Sequence, residues 1–215
     1  MREILLGTSN PSKAAYFKHL LEEYAVSFLL LRDLDIEALP DETGKSPREN
    51  VMLKAAYYGR FHDYVLSQDS ALYIRELPLD DPRKPGLTVC RRPGGGAMDD
   101  GEMLAYYISL AHQLGGRMTC CYLDGYGICN CGQVSGFINE AGPLLDAYSF
   151  YVVDKPHPVR TPGWPLDSIS INPHTGLYFT ESREHHRTAV EEVLHKSYKA
   201  QLLAFCAEQL GLERR

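Results

Sequence analysis

The sequence lacks a long apolar run. Its longest candidate, Ala25–Leu31, is interrupted by Ser27 and followed by two charged residues, whereas a helix that spans a membrane needs about 20 apolar residues. The chain begins with Arg2 and Glu3 ahead of a strand-like stretch and lacks the apolar segment of a signal peptide. We therefore expect a cytoplasmic protein without a membrane partner.

The sequence also lacks an excess of positive charge. Lysine and arginine number 22 against 28 aspartates and glutamates, which gives a formal net charge of −6 at pH 7. A protein that binds nucleic acid polymers needs a basic surface, so this class is disfavoured. A small anionic substrate is still allowed, because a local basic pocket can exist in an acidic protein. The average composition and the length favour a single globular domain over residues 1–215.

The six cysteines lack the spacing of a metal or redox site, since no CxxC pair occurs. Four of them cluster on a stretch that alternates like paired strands, namely Cys120, Cys121, Cys129 and Cys131. In the absence of a secretion signal we expect reduced cytosolic thiols. We interpret them as buried strand residues, with a metal–thiolate site as the weaker alternative.

The beginning of the chain has the pattern of an α/β fold. A short apolar run, Glu3–Leu6, predicts a buried strand, and Val26–Leu31 predicts the next one. Between them Asn10 is a good N-cap and Pro11 suits the first helical position. Apolar residues then recur at helical spacing, at Phe17, Leu20, Leu21 and Tyr24. Strand, loop, helix and strand in this order are typical of α/β proteins.

Three further helices follow from capping and periodicity. The pattern Ser46-Pro47-Arg48-Glu49 resembles a capping box and predicts a helix to about Phe61. The other two are predicted at Gly101–Leu114 and near Arg183–Gln209.

Short strands are predicted in the middle of the chain. Two of them, Tyr64–Ser67 and Leu72–Ile74, flank a predicted turn at Gln68-Asp69-Ser70. The other three are Arg117–Leu123, Tyr126–Asn130 and Gln133–Ile138, the first two joined in a hairpin at Asp124-Gly125.

The loop between the first strand and the first helix is a candidate phosphate site. Thr8, Ser9, Asn10 and Lys13 bring hydroxyls, an amide and an amine to a helix N-terminus, where phosphate binds well. The loop matches neither the Walker A nor the GxGxxG pattern. An ordinary helix cap with a solvated lysine explains the same residues.

Two acidic residues are candidates for chemistry. Glu49 and Lys54 lie on the second predicted helix, and Asp69 precedes Ser70 in the predicted turn. Taken singly, Glu49 is explained as part of a capping box and Asp69 as an Asx-turn residue.

The order and spacing of these segments resemble the inosine triphosphate pyrophosphatase family. The family's T-G-N-x-x-K, E-E-N-A-x-x-K-A and D-D-S-G-L motifs are similar to residues 8–13, 48–55 and 68–72. Further similar segments follow in the same order, at residues 85–91, 132–138, 163–170 and 178–181. The resemblance covers nearly the whole chain.

The resemblance implies a fold and an activity. The fold is α/β, with a mixed twisted central sheet flanked by helices, a smaller β-rich lobe and an active-site groove between the lobes. Members of the family hydrolyse deaminated purine nucleoside triphosphates to the monophosphate and pyrophosphate. The resemblance implies Mg²⁺ as the cofactor, held by hard oxygen ligands, and a homodimer.

The resemblance also implies roles for individual residues. Glu49 and Asp69 match the acidic metal positions, Asp69 orients or deprotonates the attacking water, and Lys54 takes part in catalysis. The residues implied in substrate binding are Thr8, Ser9, Asn10, Lys13, Ser70, Arg91, Trp164 and Asp167. Trp164 provides a stacking face for the base in this interpretation, although a buried core tryptophan is an equal alternative.

The sequence departs from the family pattern at two kinds of position. Gln68 stands where the family has the first acid of its D-D pair, and Ala71 stands where it has glycine. The family's S-H-R box for the purine base has no serine here, whether it is aligned with residues 191–193 or 194–196. Altered base preference is therefore expected. A nucleotide-binding protein without turnover and a phosphatase for another small molecule are the alternatives.

Overall fold

The computed structural model describes residues 1–38, 40–78, 80–92, 95–138, 143–161, 163–182 and 187–215. Within these ranges the chain forms seven strands, namely β1 Arg2–Leu6, β2 Val26–Leu30, β3 Tyr64–Ile74, β4 Arg117–Asn130, β5 Gln133–Ile138, β6 Phe150–Val153 and β7 Ser170–Ile171. It also forms five α-helices, namely α1 Pro11–Leu20, α2 Pro47–Tyr58, α3 Asp100–Gln113, α4 Pro143–Ala147 and α5 Ala189–Leu210. The strands belong to one mixed sheet, which confirms the predicted α/β class.

The chain divides into two compact units, and both consist of separate segments. The first unit contains Met1–Ser70, Asp124–Asn139 and His195–Arg215, and the second contains Ala71–Leu123 and Glu140–Leu194. The strands β3 and β4 each contribute residues to both units.

The first unit is built on parallel pairing of its opening strands. β1 pairs with β2 along its whole length and with β3 through Leu5↔Val65 and Leu6↔Leu66, both pairs parallel. β5 pairs antiparallel with residues 125–130 of β4. Buried side chains from β1, α2 and β3 pack together, among them Leu5, Ala55, Tyr58 and Val65, and this packing fixes α2 against the sheet.

The second unit is antiparallel. β6 pairs with Arg117–Cys120 of β4, and β7 pairs with β6. Its core contains Leu72, Tyr107, Met118 and Val152, contributed by β3, α3, β4 and β6. α3 begins at the N-cap Asp99, whose carboxylate accepts from the Glu102 N–H while the Glu102 carboxylate accepts from the Asp99 N–H. This reciprocal box fixes the helix start within one residue of the predicted position.

The predicted turn at Gln68-Asp69-Ser70 is wrong, because β3 is continuous from Tyr64 to Ile74. Asp69 is therefore a strand residue, 8% exposed. Polar residues suggested a turn, but here their side chains bond to neighbouring elements and the backbone stays extended.

The predicted hairpin at Asp124-Gly125 is also wrong, because β4 is continuous from Arg117 to Asn130. A Cβ on Gly125 would lie 2.7 Å from the Pro47 carbonyl oxygen, and one on Gly127 would lie 2.1 Å from that of Val51. These glycines therefore allow α2 to approach the strand rather than turn the chain. The observed hairpin turns at residues 131–132, which both have positive φ and lead into β5.

α1 and α2 begin as predicted and end earlier. Asn10 caps α1 and Ser46 caps α2, each with a proline in the first turn. α1 ends at Leu20, so Leu21 and Tyr24 are buried without being helical, and α2 ends at Tyr58 rather than Phe61. α5 begins at Ala189, and residues 183–186 of the helix predicted there lie outside the described residues. None of the helices in the described ranges has a stretch suited to crossing a bilayer.

Some elements had no sequence prediction. They are α4, β6, β7 and two 3₁₀ turns at Leu31–Leu34 and Pro165–Ser168. Each has five residues or fewer, and helical or strand periodicity cannot develop over so short a length.

Candidate active site

The loop between β1 and α1 is ordered by its own side chains. Asn10 Oδ1 accepts from the Ser12 N–H at 2.9 Å and from the Lys13 N–H at 3.4 Å, and Thr8 Oγ1 accepts from the Asn10 N–H at 3.1 Å. Ser9 is exposed between them. These bonds pin the N-terminus of α1, the end at which a helix attracts anions.

Asp69 lies at the centre of a buried polar cluster. Its Oδ2 accepts from Asn50 Nδ2 at 3.2 Å, and its Oδ1 is 3.2 Å from Lys54 Nζ. The same Lys54 Nζ is 2.5 Å from Glu42 Oε1. One ammonium therefore neutralises two carboxylates from different segments of the chain, the buried one of Asp69 and the exposed one of Glu42, which lowers the cost of burying Asp69.

Asn50 and Glu49 attach α2 to the segment that precedes it. Asn50 Oδ1 accepts from the Gly44 N–H at 2.8 Å, and Glu49 Oε2 accepts from the Lys45 N–H at 2.7 Å. The Ser46 hydroxyl accepts from the Glu49 N–H, so only this half of the predicted capping box forms, and the Glu49 carboxylate reaches one residue further back. Glu49 is exposed, and its carboxylate bonds to the Lys45 N–H rather than to a partner of Asp69.

Lys13 is electrostatically coupled to this cluster. Burial lowers the pKa of its ammonium group, and the positive charge of Lys54 lowers it further. The carboxylates of Asp69, Asp124 and Glu42 act in the opposite direction. The charges of Lys54 and of these three carboxylates thus act on Lys13, and an added anionic ligand would reduce the repulsion between Lys13 and Lys54.

Ser70 makes its contact on the other face of β3. Its hydroxyl donates to Asp124 Oδ1 at 2.6 Å. Since successive strand residues point to opposite faces, Gln68 and Ser70 share one face and Asp69 points to the other. Burial raises the pKa of the Asp124 carboxyl, against the hydrogen bonds from Ser70 and Gln68 and the charge of Lys13.

Three of the predicted site residues belong to the second unit. Arg91 is exposed and forms an antiparallel bridge with Ala97. Trp164, 38% exposed, precedes the 3₁₀ turn that contains Asp167. The exposure of Trp164 speaks against the alternative of a buried core tryptophan.

The first unit thus brings together Lys13, Lys54, Asp69 and Ser70 of the predicted set, with Thr8, Ser9 and Asn10 at the adjoining helix start. A family model described as the Ham1 family matches residues 4–141, which contain all of these segments. The chain belongs to the Ham1 family. This match confirms the resemblance found in the sequence.

Relatives of this Ham1 chain include proteins named dITP/XTP pyrophosphatase. One such protein, from Thermus thermophilus, is 27% identical over 213 residues, and the alignment covers 92% of each chain. The protein from Dictyoglomus thermophilum is 38% identical over 78 residues, which are 35% of this chain and 38% of that one.

Solved structures of Ham1 proteins have the same fold. The HAM1 protein from Coxiella burnetii has a TM-score of 0.66 at 18% identity, with 97% of this chain and 100% of that one covered. The Ham1 protein from Staphylococcus aureus has a TM-score of 0.64 at 18% identity, with 95% and 97% covered.

Two carboxylates beside the candidate site were missed by the sequence analysis. Glu42 lies in a polar segment without periodicity, and Asp124 was interpreted as a turn residue. An acidic residue in an otherwise apolar strand-like stretch was the one signal that could have singled out Asp124.

The donors of this site suit a hard divalent cation. Among the described residues no group of three or more His, Cys, Asp or Glu is arranged to hold a metal ion by itself. Mg²⁺ is commonly bound by one or two carboxylates together with water and substrate phosphates, so Asp69 with one further carboxylate fits that ion.

Proposed function

We propose that this chain is a Mg²⁺-dependent nucleoside triphosphate pyrophosphatase that hydrolyses a deaminated purine or other modified nucleotide to the monophosphate and pyrophosphate. The observation that carries the proposal is the cluster of Lys13, Lys54 and Asp69 beside the N-terminus of α1. Relatives named dITP/XTP pyrophosphatase support a hydrolase that acts on the phosphoanhydrides of triphosphates.

The triphosphate binds at the start of α1 in this account. The positive end of the α1 dipole and the Lys13 ammonium attract the phosphate oxygens, and Thr8, Ser9 and Asn10 shape the loop. Lys54 neutralises further phosphate charge. A bound triphosphate would replace Glu42 as a partner of Lys54, since it offers several charged oxygens at once, while Lys54 keeps its contact with Asp69.

Asp69 activates the water in this account. Its carboxylate is held by Asn50 on one oxygen and by Lys54 on the other, so it is fixed in orientation. It accepts a proton from water, the water oxygen bonds to the α-phosphorus, and the bond to the bridging oxygen breaks with pyrophosphate as the leaving group. The products are therefore a nucleoside monophosphate and pyrophosphate.

A bound Mg²⁺ would neutralise charge on the phosphates and lower the pKa of the attacking water. Asp69 would provide one ligand. The resemblance assigns a second to Glu49, whose carboxylate is held by Lys45, whereas Glu42 lies next to Lys54 within the cluster. Both are candidates for the second ligand.

Recognition of the base is proposed on the resemblance, which assigns it to Trp164 and Asp167. Trp164 offers an exposed ring for stacking, Asp167 an acceptor for the base edge, and Arg91 a charge for the phosphates or sugar. Because the S-H-R box is absent, the preferred base is expected to differ from the family's default. A homodimer is proposed on the resemblance alone, and sedimentation at micromolar concentration tests it.

The test is product identification across a panel of nucleotides that includes dITP, XTP, ITP and the four common triphosphates. We expect pyrophosphate and monophosphate in ³¹P spectra, from one or a few nucleotides, and none when EDTA replaces Mg²⁺. Release of single phosphates would contradict the proposal in favour of a phosphatase. Thermal stabilisation by nucleotide without any product would contradict it in favour of a binding protein.

A further inference from the structure

Asp124 provides a carboxylate inside the first unit that the sequence analysis did not assign to the site. It lies within β4, next to β3, and Ser70 Oγ donates to its Oδ1 at 2.6 Å. The side-chain amide of Gln68 forms a second hydrogen bond to it. Asp124 thus bonds to the two residues that flank Asp69 in the sequence.

The alternation of β4 shows which face of the sheet Asp124 occupies. Gly125 and Gly127 lie against the backbone of α2, so their side of the strand faces that helix. Tyr126, on the other side, packs against Tyr16 and Phe17 of α1. Asp124 shares the face of Tyr126, and it therefore points to the side of the sheet on which α1 lies.

Lys13 lies on α1 and interacts with carboxylates on both faces. Its charge is attracted by Asp69, which bonds to residues of α2, and by Asp124 on the α1 side, while Lys54 repels it. Glu42 adds a weaker attraction. On the side of the sheet where α1 lies, Gln68 provides a neutral amide. Asp124 is therefore the carboxylate on this side of the sheet among the residues that act on Lys13.

We propose that Asp124 is a positioning residue that holds Lys13 in place for the nucleotide phosphates and supplies from β4 the negative charge that position 68 lacks. The inference rests on the proposed function, because it takes Lys13 as a phosphate ligand. The competing interpretation is a neutral Asp124 that only anchors Ser70 through a hydrogen bond. The proposal requires a negative charge at residue 124, whereas the competing interpretation requires only the hydrogen bond to Ser70.

The test moves the carboxylate from residue 124 to residue 68, so that the amide and the carboxylate of this hydrogen-bonded pair change places. Asp124→Asn keeps the shape and the acceptor for Ser70 but removes the charge. The double variant Gln68→Glu with Asp124→Asn restores one negative charge to the pair, now on β3 instead of β4. The exposed Asp80, changed to Asn, is the matched control. Thermal unfolding of each variant checks that the fold is kept.

We expect Asp124→Asn to lower kcat/KM for the preferred nucleotide by about ten- to a hundredfold, chiefly through KM, because the affected group binds phosphate. The double variant is expected to regain most of this loss, and Asp80→Asn to match the wild type. The proposal is overturned if Asp124→Asn equals the wild type, or if the double variant is no better than Asp124→Asn.

A failure of the proposed function is distinguishable from a failure of this inference. If the wild-type protein hydrolyses no nucleotide, the same variants are compared by calorimetric titration with Mg²⁺ and α,β-imido-dITP. Weaker binding by Asp124→Asn, regained in the double variant, would support the positioning role without turnover. Equal binding by wild type and Asp124→Asn would overturn it.

Discussion

Lys54 Nζ lies 3.2 Å from Asp69 Oδ1, although the two residues are fifteen positions apart and belong to a helix and a strand. Asn50, one turn earlier on α2, binds the second oxygen of the same carboxylate. α2 therefore holds both oxygens of Asp69 from one helical face, and the short packing distances at Gly125 and Gly127 of β4 fix that helix. A carboxylate held in this way would need little reorganisation before it acted as a base.

Replacing Asp69 by Asn tests the role of its charge. The amide keeps the size of the side chain but cannot accept the proton of water, so kcat is expected to fall by about 10²- to 10⁴-fold. Pyrophosphate release under saturating nucleotide measures the effect. The exposed Asp63, which precedes β3, changed to Asn is the control and should keep its rate. A variant Asp69→Asn with near-normal kcat would exclude Asp69 as the base.

Glu42 and Glu49 make different predictions for metal binding. Glu42 contacts Lys54 within the cluster, whereas the Glu49 carboxylate is bound by the Lys45 N–H. We expect Glu42→Gln to raise the Mg²⁺ concentration for half-maximal rate by about ten- to a hundredfold, and Glu49→Gln to raise it less. Magnesium titrations of both variants make the comparison, and the reverse order would restore Glu49 as the principal ligand.

The alkaline limb of the pH profile reports on Lys13. Burial lowers the pKa of its ammonium group, so the charge is present at low pH and is lost, as pH rises, earlier than for an exposed lysine. In the free enzyme kcat/KM is therefore expected to fall on the alkaline side. Lys13→Arg keeps its charge beyond about pH 12, and this change should move the limb to higher pH. Lys18→Arg, exposed on the same helix, should leave the limb unchanged.

The contact between α2 and β4 makes a prediction for stability. A Cβ at residue 127 would lie 2.1 Å from the Val51 carbonyl oxygen, and backbone must move to admit it. We expect Gly127→Ala to lower the free energy of unfolding by about 1–3 kcal/mol or more. Gly101→Ala in the first turn of α3 is the matched control, since its nearest neighbour is a side-chain oxygen at 3.3 Å. Equal urea midpoints for the two variants would refute the close approach.

The sequence was informative wherever the structure is decided locally. Asn10 and Ser46 cap their helices through bonds to N–H groups two or three residues away, and such short-range contacts are visible in a sequence pattern. The continuity of β3 and β4 was not visible, because Asp69 and Gly125 have the character of turn residues. Their fit into strands depends on α2, a partner that is distant in the sequence.

The candidate site could be predicted in part for the same reason. Motif spacing led to Lys13, Lys54 and Asp69, which the first unit brings together. Glu42 and Asp124 carry no motif of their own. They become neighbours of these residues only through tertiary contacts with Lys54 and Ser70, so pattern analysis could not reach them.

A crystal structure with Mg²⁺ and α,β-imido-dITP, or the analogue of whichever nucleotide is preferred, is the most direct measurement. The account predicts the triphosphate at the N-terminus of α1, with Lys13 and Lys54 on its phosphate oxygens. It also predicts a Mg²⁺ ligated by Asp69, and a water between that carboxylate and the α-phosphorus. Phosphates bound away from Lys13 and Lys54, or an Asp69 that still bonds only to Asn50 and Lys54 in the complex, would contradict it.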